Sequence, residues 1–215
     1  MKHPNVWVII VTLSLAAPVA GRKHQSHGSP ATFDYYLLSL SWAPAYCAEH
    51  PTDKSSECTT GNHTAFVLHG LWPSTNQGKQ PMSCRPASPV PARVVQHMLQ
   101  YFPTKGLIQH EWAKHGTCSS FSSADYFGQV EKAFKSVHVP ERYRTLTQKQ
   151  QLKVSDIEQD FAQANSAPAG AFRVSCHAGA LVGLDACLDK DLKFQACAKS
   201  ATECPSSQVT LAPPK

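Results

Sequence analysis

The sequence has no closely paired cysteines and no dense stripe of basic residues. Its eight cysteines never fall into the Cys-x-x-Cys spacing that is typical of a structural zinc site. Twenty Lys and Arg against fifteen Asp and Glu give a net charge of +5, which favours a polyanionic ligand only weakly. No internal repeat or second domain is visible. These absences argue against a zinc-binding module and against a protein that coats nucleic acid.

Long apolar runs are also absent beyond residue 21, so no later segment predicts a membrane span. The first 21 residues contain a shorter run from Val6 to Ala17, preceded by Lys2 and followed by Ala20 and Gly21. A basic start, a short apolar stretch and small residues form the order of a secretory signal peptide. We therefore expect residues 1–21 to be a signal peptide and the protein to be periplasmic or extracellular.

All eight cysteines lie after the expected signal peptide. An even number of cysteines in an exported chain predicts disulfides, here four of them. A cysteine hydrolase would need a free thiolate to pair with a histidine, and four disulfides would leave no thiol for that role.

We expect residues 22–215 to form a single domain, with residues 22–32 as a loose polar leader. Apolar residues alternate with their neighbours from Tyr36 to Trp42, which predicts a strand. A second strand is predicted at 64–69, stopping at Pro73. The tail predicts strands at 171–176, 180–188 and 194–197.

Helical periodicity occupies the middle of the chain. Ser155 and Glu158 fit a capping box for the last of these helices. The predicted helices cover 92–102, 107–117, Ser122 or Ser123 to Phe134, and Ser155 to Ala164. The segments 43–62, 73–91 and 137–153 are predicted as connections. This order of strands, helices and strands favours an α+β domain in which several helices pack on a central antiparallel sheet.

Residues 110–118 read HEWAKHGTC and concentrate the ionisable groups. On a helix with about 100° per residue, His110, Glu111, Lys114 and His115 fall within about 140° of one another. Two imidazoles beside a fixed cation suit a reaction that needs a general acid, a general base and an anionic transition state. Phosphoryl transfer is the favoured reaction class.

His69 ends an apolar strand in the segment AFVLHGLWP, where Gly70 permits close backbone approach. A lone histidine on an apolar strand is more often structural, and Trp72 could equally be a core residue. The second histidine cluster favours a catalytic interpretation of His69.

The segments FVLHGLWP and HEWAKHGTC, in this order and about 40 residues apart, resemble the two active-site segments of the ribonuclease T2 family. The segment DYYLLSLSWAPAYC is similar to the opening strand of that family. The tail VSCHAGALVGLDACLDKDLKFQAC resembles its bacterial, exported members. The resemblance covers about residues 34–210 and implies the family's disulfide-stapled α+β fold.

The resemblance implies cleavage of single-stranded RNA without metal or cofactor, through a 2′,3′-cyclic phosphate. His115 would take the proton of the 2′-hydroxyl, and His69 would protonate the leaving 5′-oxygen. His110 would bind the phosphate. Glu111 and Lys114 would polarise it and stabilise the charge that builds up on the phosphorane.

The resemblance also implies that Trp72 stacks on a base. Ser74 stands where many relatives have an acidic residue that helps to read the base, so we expect broad base specificity. We further expect a monomer whose partner is single-stranded RNA, without a membrane or an obligate protein partner. The implied disulfides are Cys47–Cys58, Cys84–Cys118, Cys176–Cys204 and Cys187–Cys197.

Two alternatives use the same residues. A zincin needs histidines at i and i+4 on one helical face, but Lys114 holds the i+4 position after His110 and the second imidazole lies at i+5. A metalloprotease is therefore disfavoured. A non-catalytic RNA-binding or inhibitor-type protein on a ribonuclease scaffold would be expected to lack a catalytic residue. All five candidate catalytic residues are present.

Overall fold

The computed structural model describes residues 32–62, 64–198 and 204–214. The expected signal peptide and residues 22–31 of the expected leader lie outside the described residues. Within the described part of the chain, no helix has both the length and the apolar character needed to span a bilayer.

Strands open and close the chain, and helices occupy its middle. The strands are β1 (Tyr35–Trp42), β2 (Phe66–Ser74), β3 (Gln150–Lys153), β4 (Phe172–His177), β5 (Ala180–Leu188) and β6 (Gln208–Leu211). The helices are α1 (Ala43–Glu49), α2 (Ala92–Met98), α3 (Lys105–Lys114), α4 (Ser123–Ser136), α5 (Glu141–Arg144) and α6 (Val154–Ala164). Short 3₁₀ turns lie at Ser56–Cys58 and Gly116–Cys118.

The strands form one sheet in the order β2-β1-β5-β6-β3, and β4 pairs with β5. The pairs β1–β2, β1–β5, β4–β5 and β3–β6 are antiparallel. A single parallel contact joins Ala180 of β5 to Thr210 of β6. The α+β class and the central antiparallel sheet are confirmed, with this one parallel contact added.

Strand β1 is buried on both faces. Leu38 and Leu40 point into the main core, which the helices cover. Tyr35 and Leu37, on the opposite face, form a smaller cluster with Cys187. Burying a side chain of this size stabilises the fold by roughly 1.5–3 kcal/mol. The first strand therefore anchors the helical layer and also supports the face on which the site is built.

The predicted capping box at Ser155 is wrong. Helix α6 begins at Val154, directly after β3, and its N-cap is Lys153. The backbone N–H of Val154 donates to the carbonyl of Ser207 at 3.0 Å, so a neighbouring segment serves the start of this helix. Glu158 instead accepts a hydrogen bond from the backbone of Val174 at 3.0 Å, which joins α6 to β4.

Several other boundaries differ from the sequence-based expectation. Strand β2 continues through Pro73, because it lies at the edge of the sheet, where a missing N–H is tolerated. The strand predicted at 194–197 is reduced to one bridge between Leu188 and Phe194. Helix α1 lies in the predicted connection 43–62, and α5 and β3 lie in the predicted connection 137–153.

Helices α2, α3 and α4 lie close to their predicted positions. Helix α2 ends at Met98, four residues early, and α3 begins at Lys105 after the N-cap Thr104. The hydroxyl of Thr104 accepts from the backbone of Leu107 at 3.1 Å. For α4 the structure selects Ser122 as the N-cap, of the two serines proposed.

All eight cysteines are paired, and no free cysteine remains. The pairs are those that the family resemblance implies: Cys47–Cys58, Cys84–Cys118, Cys176–Cys204 and Cys187–Cys197.

Candidate active site

A β-bulge in β2 places His69. On β1, Ser39 pairs with Gly70 and Leu40 pairs with Leu68, so His69 has no partner across the ladder. The extra residue lets two leucines three positions apart, Leu68 and Leu71, both point into the core. A bulge bends its strand and re-aims the side chain at that point. Here it turns His69 toward helix α3.

The His69 imidazole has a polar group near each of its nitrogens. Its Nδ1 is hydrogen-bonded to Ser41 Oγ at 3.0 Å, and its Nε2 lies 3.7 Å from Glu111 Oε1. The side chain remains 39% exposed, so a substrate can reach it. Burial, together with the nearby His110 and Lys114, lowers the pKa of His69.

Helix α3 carries the second cluster and is fixed by its opposite face. Ile108 and Trp112 are buried in the main core, and Trp112 Nε1 donates to the Ser88 carbonyl at 3.0 Å. Glu111 and Lys114 lie in the last turn, and His115 is the C-cap. The four residues predicted to share one side of the helix therefore lie at the C-terminal end of α3, and His110 is exposed at the rim of the site.

Glu111 is buried at the centre of the site. Its Oε2 accepts a hydrogen bond from Trp72 Nε1 at 2.7 Å. Its Oε1 has no hydrogen-bond partner among the described residues. Burial raises the pKa of Glu111 to about 7. At neutral pH this carboxyl group therefore exists in both protonation states.

Gly70 makes room for that carboxyl group. A Cβ atom at this position would lie 2.0 Å from Glu111 Oε2 and 2.5 Å from Trp72 Nε1, closer than such atoms can approach. The absence of a side chain therefore permits the contact between Glu111 and Trp72. The sequence suggested close backbone approach at Gly70, and the structure shows which groups make it.

His115 lies on the other side of Trp72. The two rings stack with centroids 5.0 Å apart and an interplanar angle of 24°. His115 is buried, and its Nδ1 has no hydrogen-bond partner in the described part of the chain. Burial first, and then Lys114, His110 and His69, lower the pKa of His115 to about 3. This imidazole is thus neutral in the unliganded site.

Trp72 contacts three of the five candidate catalytic residues. It meets His69 edge-on at 5.4 Å, stacks on His115 and donates to Glu111. Its side chain is half-buried. Sequence reasoning assigned Trp72 to base stacking and did not foresee this positioning role. Ser41, the partner of His69, was also missed, because only the strand pairing brings it near.

A disulfide fixes the end of α3. Cys118 lies in the 3₁₀ turn that follows the helix and is bonded to Cys84, in the loop after β2. Beside it, the backbone N–H of Ser83 donates to the Lys114 carbonyl at 2.7 Å. The loop after the first histidine segment is therefore tied to the helix that carries the second.

The site contains two imidazoles, His69 and His115, beside positively charged groups. The low pKa values of His69 and His115 arise partly from the cationic groups around them, and a bound anion would offset that repulsion. Across residues 32–62, 64–198 and 204–214, no group of three or more His, Cys, Asp or Glu is arranged to hold a metal ion. The arrangement is suited to proton transfer beside a bound anion.

Two curated ribonucleases are similar to part of this chain. A ribonuclease of Aeromonas hydrophila is 39% identical over 119 residues, which are 55% of this chain and 53% of that protein. The extracellular ribonuclease LE of Solanum lycopersicum is 34% identical over 116 residues, 47% of this chain and 49% of that protein. The chain thus spans about half the length of the curated relatives it matches.

Solved structures match over a longer range. An RNase-related protein from Calystegia sepium has a TM-score of 0.69 and 25% identity, covering 85% of this chain and 98% of that one. A mutant of RNase MC1 in complex with 5′-UMP has a TM-score of 0.68 and 20% identity, covering 83% of this chain and 98% of that one. The family model described as the ribonuclease T2 family matches residues 33–197. With most of its length covered by that model, the chain belongs to the ribonuclease T2 family.

Proposed function

We propose that this protein is an endoribonuclease that cleaves single-stranded RNA by transphosphorylation. The observation that carries the proposal is the placement of two imidazoles, His69 and His115, against the same Trp72 ring, beside the Lys114 ammonium. Acid–base chemistry on a phosphodiester requires two proton-transfer groups and positive charge near the phosphate.

In the proposed reaction, His115 accepts the proton of the ribose 2′-hydroxyl as the 2′-oxygen attacks the adjacent phosphorus. The bond from phosphorus to the 5′-oxygen breaks, and His69 donates a proton to that oxygen. The products are a 2′,3′-cyclic phosphate and a free 5′-hydroxyl. No oxidant, metal or cofactor enters the balance.

The phosphodiester anion itself would complete the site. Its charge opposes the repulsion from His110 and Lys114 that depresses both histidine pKa values. Binding of RNA therefore raises these pKa values, so that His69 can carry the proton it must donate. Lys114 remains a fixed cation, and His110 lies at the rim as the phosphate-binding group.

Glu111 takes the role of polarising the phosphate. Its Oε2 accepts a hydrogen bond from Trp72, while Oε1 has no hydrogen-bond partner among the described residues and lies 3.7 Å from His69 Nε2. When protonated, this oxygen can donate to a non-bridging phosphate oxygen. The pKa of about 7 makes that protonated form available at neutral pH.

We infer broad specificity for the base upstream of the cleaved bond. Ser74 is buried, and its hydroxyl donates to the Trp72 carbonyl at 3.1 Å. It therefore supplies no carboxylate for reading that base. We keep Trp72 as the proposed stacking residue, because an aromatic face accepts any base. Nucleotide binding by a fold relative, RNase MC1 with 5′-UMP, is consistent with such a site.

We further propose an exported monomer of 22–215 after removal of a signal peptide, acting in the periplasm or outside the cell. Four disulfides are typical of an oxidising compartment. A relative from Solanum lycopersicum is described as extracellular.

The decisive experiment is digestion of a short RNA in the presence of EDTA, followed by analysis of the ends. We expect 2′,3′-cyclic phosphate and 5′-hydroxyl ends, and no cleavage of the all-2′-deoxy oligonucleotide, which lacks the internal nucleophile. Equal cleavage of the deoxy oligonucleotide would disprove the mechanism. Binding of RNA without cleavage would favour the non-catalytic alternative.

A further inference from the structure

Two adjoining cavities lie near the candidate site, and His69 lines the smaller of them. The first has a volume of about 130 Å³ and the second about 370 Å³. Glu57, Val67 and Pro103 line both, so the two form one groove that leads away from the imidazole. Together they reach the range of small-molecule sites, roughly 300–1,000 Å³. The further walls of the groove include Ser41, Tyr46, Phe66 and Tyr101.

The groove contains a carboxyl group that the proposed reaction does not use. Glu57 lies in the 3₁₀ turn Ser56–Cys58, which the Cys47–Cys58 disulfide fixes in place. Its side chain is half-buried and makes no hydrogen bond to the described residues. Burial raises the pKa of Glu57 to about 7, with Asp53 adding to the rise and His50 opposing it. The carboxyl group is thus partly desolvated and faces the junction of the two cavities.

The groove lies on the leaving-group side of the reaction. This step rests on the proposed function, in which His69 protonates the 5′-oxygen that leaves. The ribose that carries this oxygen must then lie beside His69, and its base enters the adjoining cavity. The base of the leaving nucleotide therefore meets Glu57.

We propose that Glu57 determines specificity for the leaving nucleotide and favours guanine. An ionised carboxylate only accepts hydrogen bonds, through two adjacent oxygens. Guanine presents two adjacent donors, N1–H and N2–H. Adenine and cytosine present a donor beside an acceptor, and uracil presents one donor between two carbonyl oxygens. The expected order is guanine first, adenine and cytosine next, and uracil last.

Four dinucleoside monophosphates, CpG, CpA, CpC and CpU, test this order, because only the leaving nucleotide changes. The kcat/KM values are measured at mildly alkaline pH, where Glu57 is ionised. A bidentate pair discriminates by about 1–3 kcal/mol, and for this half-exposed group we expect the lower end, about five- to tenfold between CpG and CpU. In Glu57→Gln, that ratio falls to about one. In the control Glu49→Gln, an exposed carboxylate at the end of α1, the ratio is retained.

The ratio of two substrates within one preparation does not depend on the folded fraction, so partial misfolding of a variant leaves the test intact. A wild-type ratio near one, or an unchanged ratio in Glu57→Gln, overturns the role of Glu57 while the proposed function stands. Absence of cleavage of all four substrates by the wild-type protein overturns the proposed function itself.

Discussion

Trp72 Nε1 donates a hydrogen bond to Glu111 Oε2 at 2.7 Å, across the junction between the sheet and helix α3. The same indole stacks on His115. One side chain therefore fixes both the carboxyl group and an imidazole of the site. A positioning residue of this kind has consequences that differ from those of a base-stacking residue.

Trp72→Phe removes the hydrogen bond and keeps an aromatic ring beside His115. We expect kcat to fall by about tenfold, with a smaller change in KM, because loss of one bond to a charged group costs about 1.5–3 kcal/mol. The matched control is Trp112→Phe, which loses the bond to the Ser88 carbonyl and should lower Tm while sparing kcat. A change confined to KM would indicate that Trp72 only binds the base.

His69→Ala and His115→Ala should each lower kcat by roughly 10²–10⁴, as loss of a general acid or base usually does. The measurement is initial rates on a short RNA, with circular dichroism to verify folding. His138→Ala, at an exposed imidazole outside the site, serves as the control and should retain full activity. Near-normal turnover of both site variants would refute the assigned roles.

Gly70→Ala tests the space reserved for Glu111. The added Cβ would lie 2.0 Å from Glu111 Oε2, so the carboxyl group must move and kcat should fall by at least about tenfold, since catalysis is sensitive to small displacements. The matched substitution Gly128→Ala, in α4, meets nothing within 4 Å. It should stabilise the helix by up to about 1 kcal/mol without affecting activity. Equal activities of the two variants would contradict the packing argument.

The Asp185 carboxyl group should make stability depend on pH. It is buried in the sheet, and burial raises its pKa from 3.8 to about 6. The folded protein therefore holds this proton more tightly than the unfolded chain. The contribution of the Asp185 proton to the free energy of unfolding is fully present below about pH 4 and is lost as the pH rises through about 6.

Asp185→Asn removes this titration. Relative to wild type, the free energy of unfolding of the variant should increase between pH about 4 and pH about 7, by up to about 3 kcal/mol. Urea denaturation across this range measures it. Asp156→Asn, at an exposed carboxylate, should follow the wild-type curve. A difference that stays constant with pH would rule out this titration as its source.

Replacing Cys84 and Cys118 by serine should lower activity more than it lowers Tm. The bond ties the loop after β2 to the end of α3, and its loss costs about 2–4 kcal/mol of stability. The control is the pair Cys176 and Cys204, whose separation of 28 residues is close to the 34 residues between Cys84 and Cys118. Its removal should lower Tm similarly but spare kcat. Equal losses of activity in both double variants would refute a specific role of the first bond.

The sequence predicted best those elements whose own residues specify them. Strand β5 occupies Ala180–Leu188, the range predicted from the sequence. Helix α3 carries the charged cluster, as its periodicity predicts. In contrast, β3 and β6 are short and pair across a long stretch of chain, so neither contains a local signal strong enough to reveal it.

The contacts of Trp72 could not be predicted from the local sequence pattern, for a related reason. Residues three apart in a regular strand point to opposite faces, which would separate Trp72 from His69. The bulge reverses that relation, and it depends on pairing with β1 that the sequence of β2 does not display. The candidate catalytic residues could be found from motifs, but their mutual contacts could not.

The unpaired position of His69 in β2 allows one strand to serve both the core and the active site. Leu68 and Leu71 remain in the core on either side of it. Deleting a single residue between them would restore regular pairing and keep both leucines in the core, because residues two apart in a strand point to the same face, but the unpaired position that turns His69 toward helix α3 would be lost. Inserting a residue would shift the histidine relative to helix α3. The position of the active-site histidine therefore depends on the length of this strand as well as on its side chains.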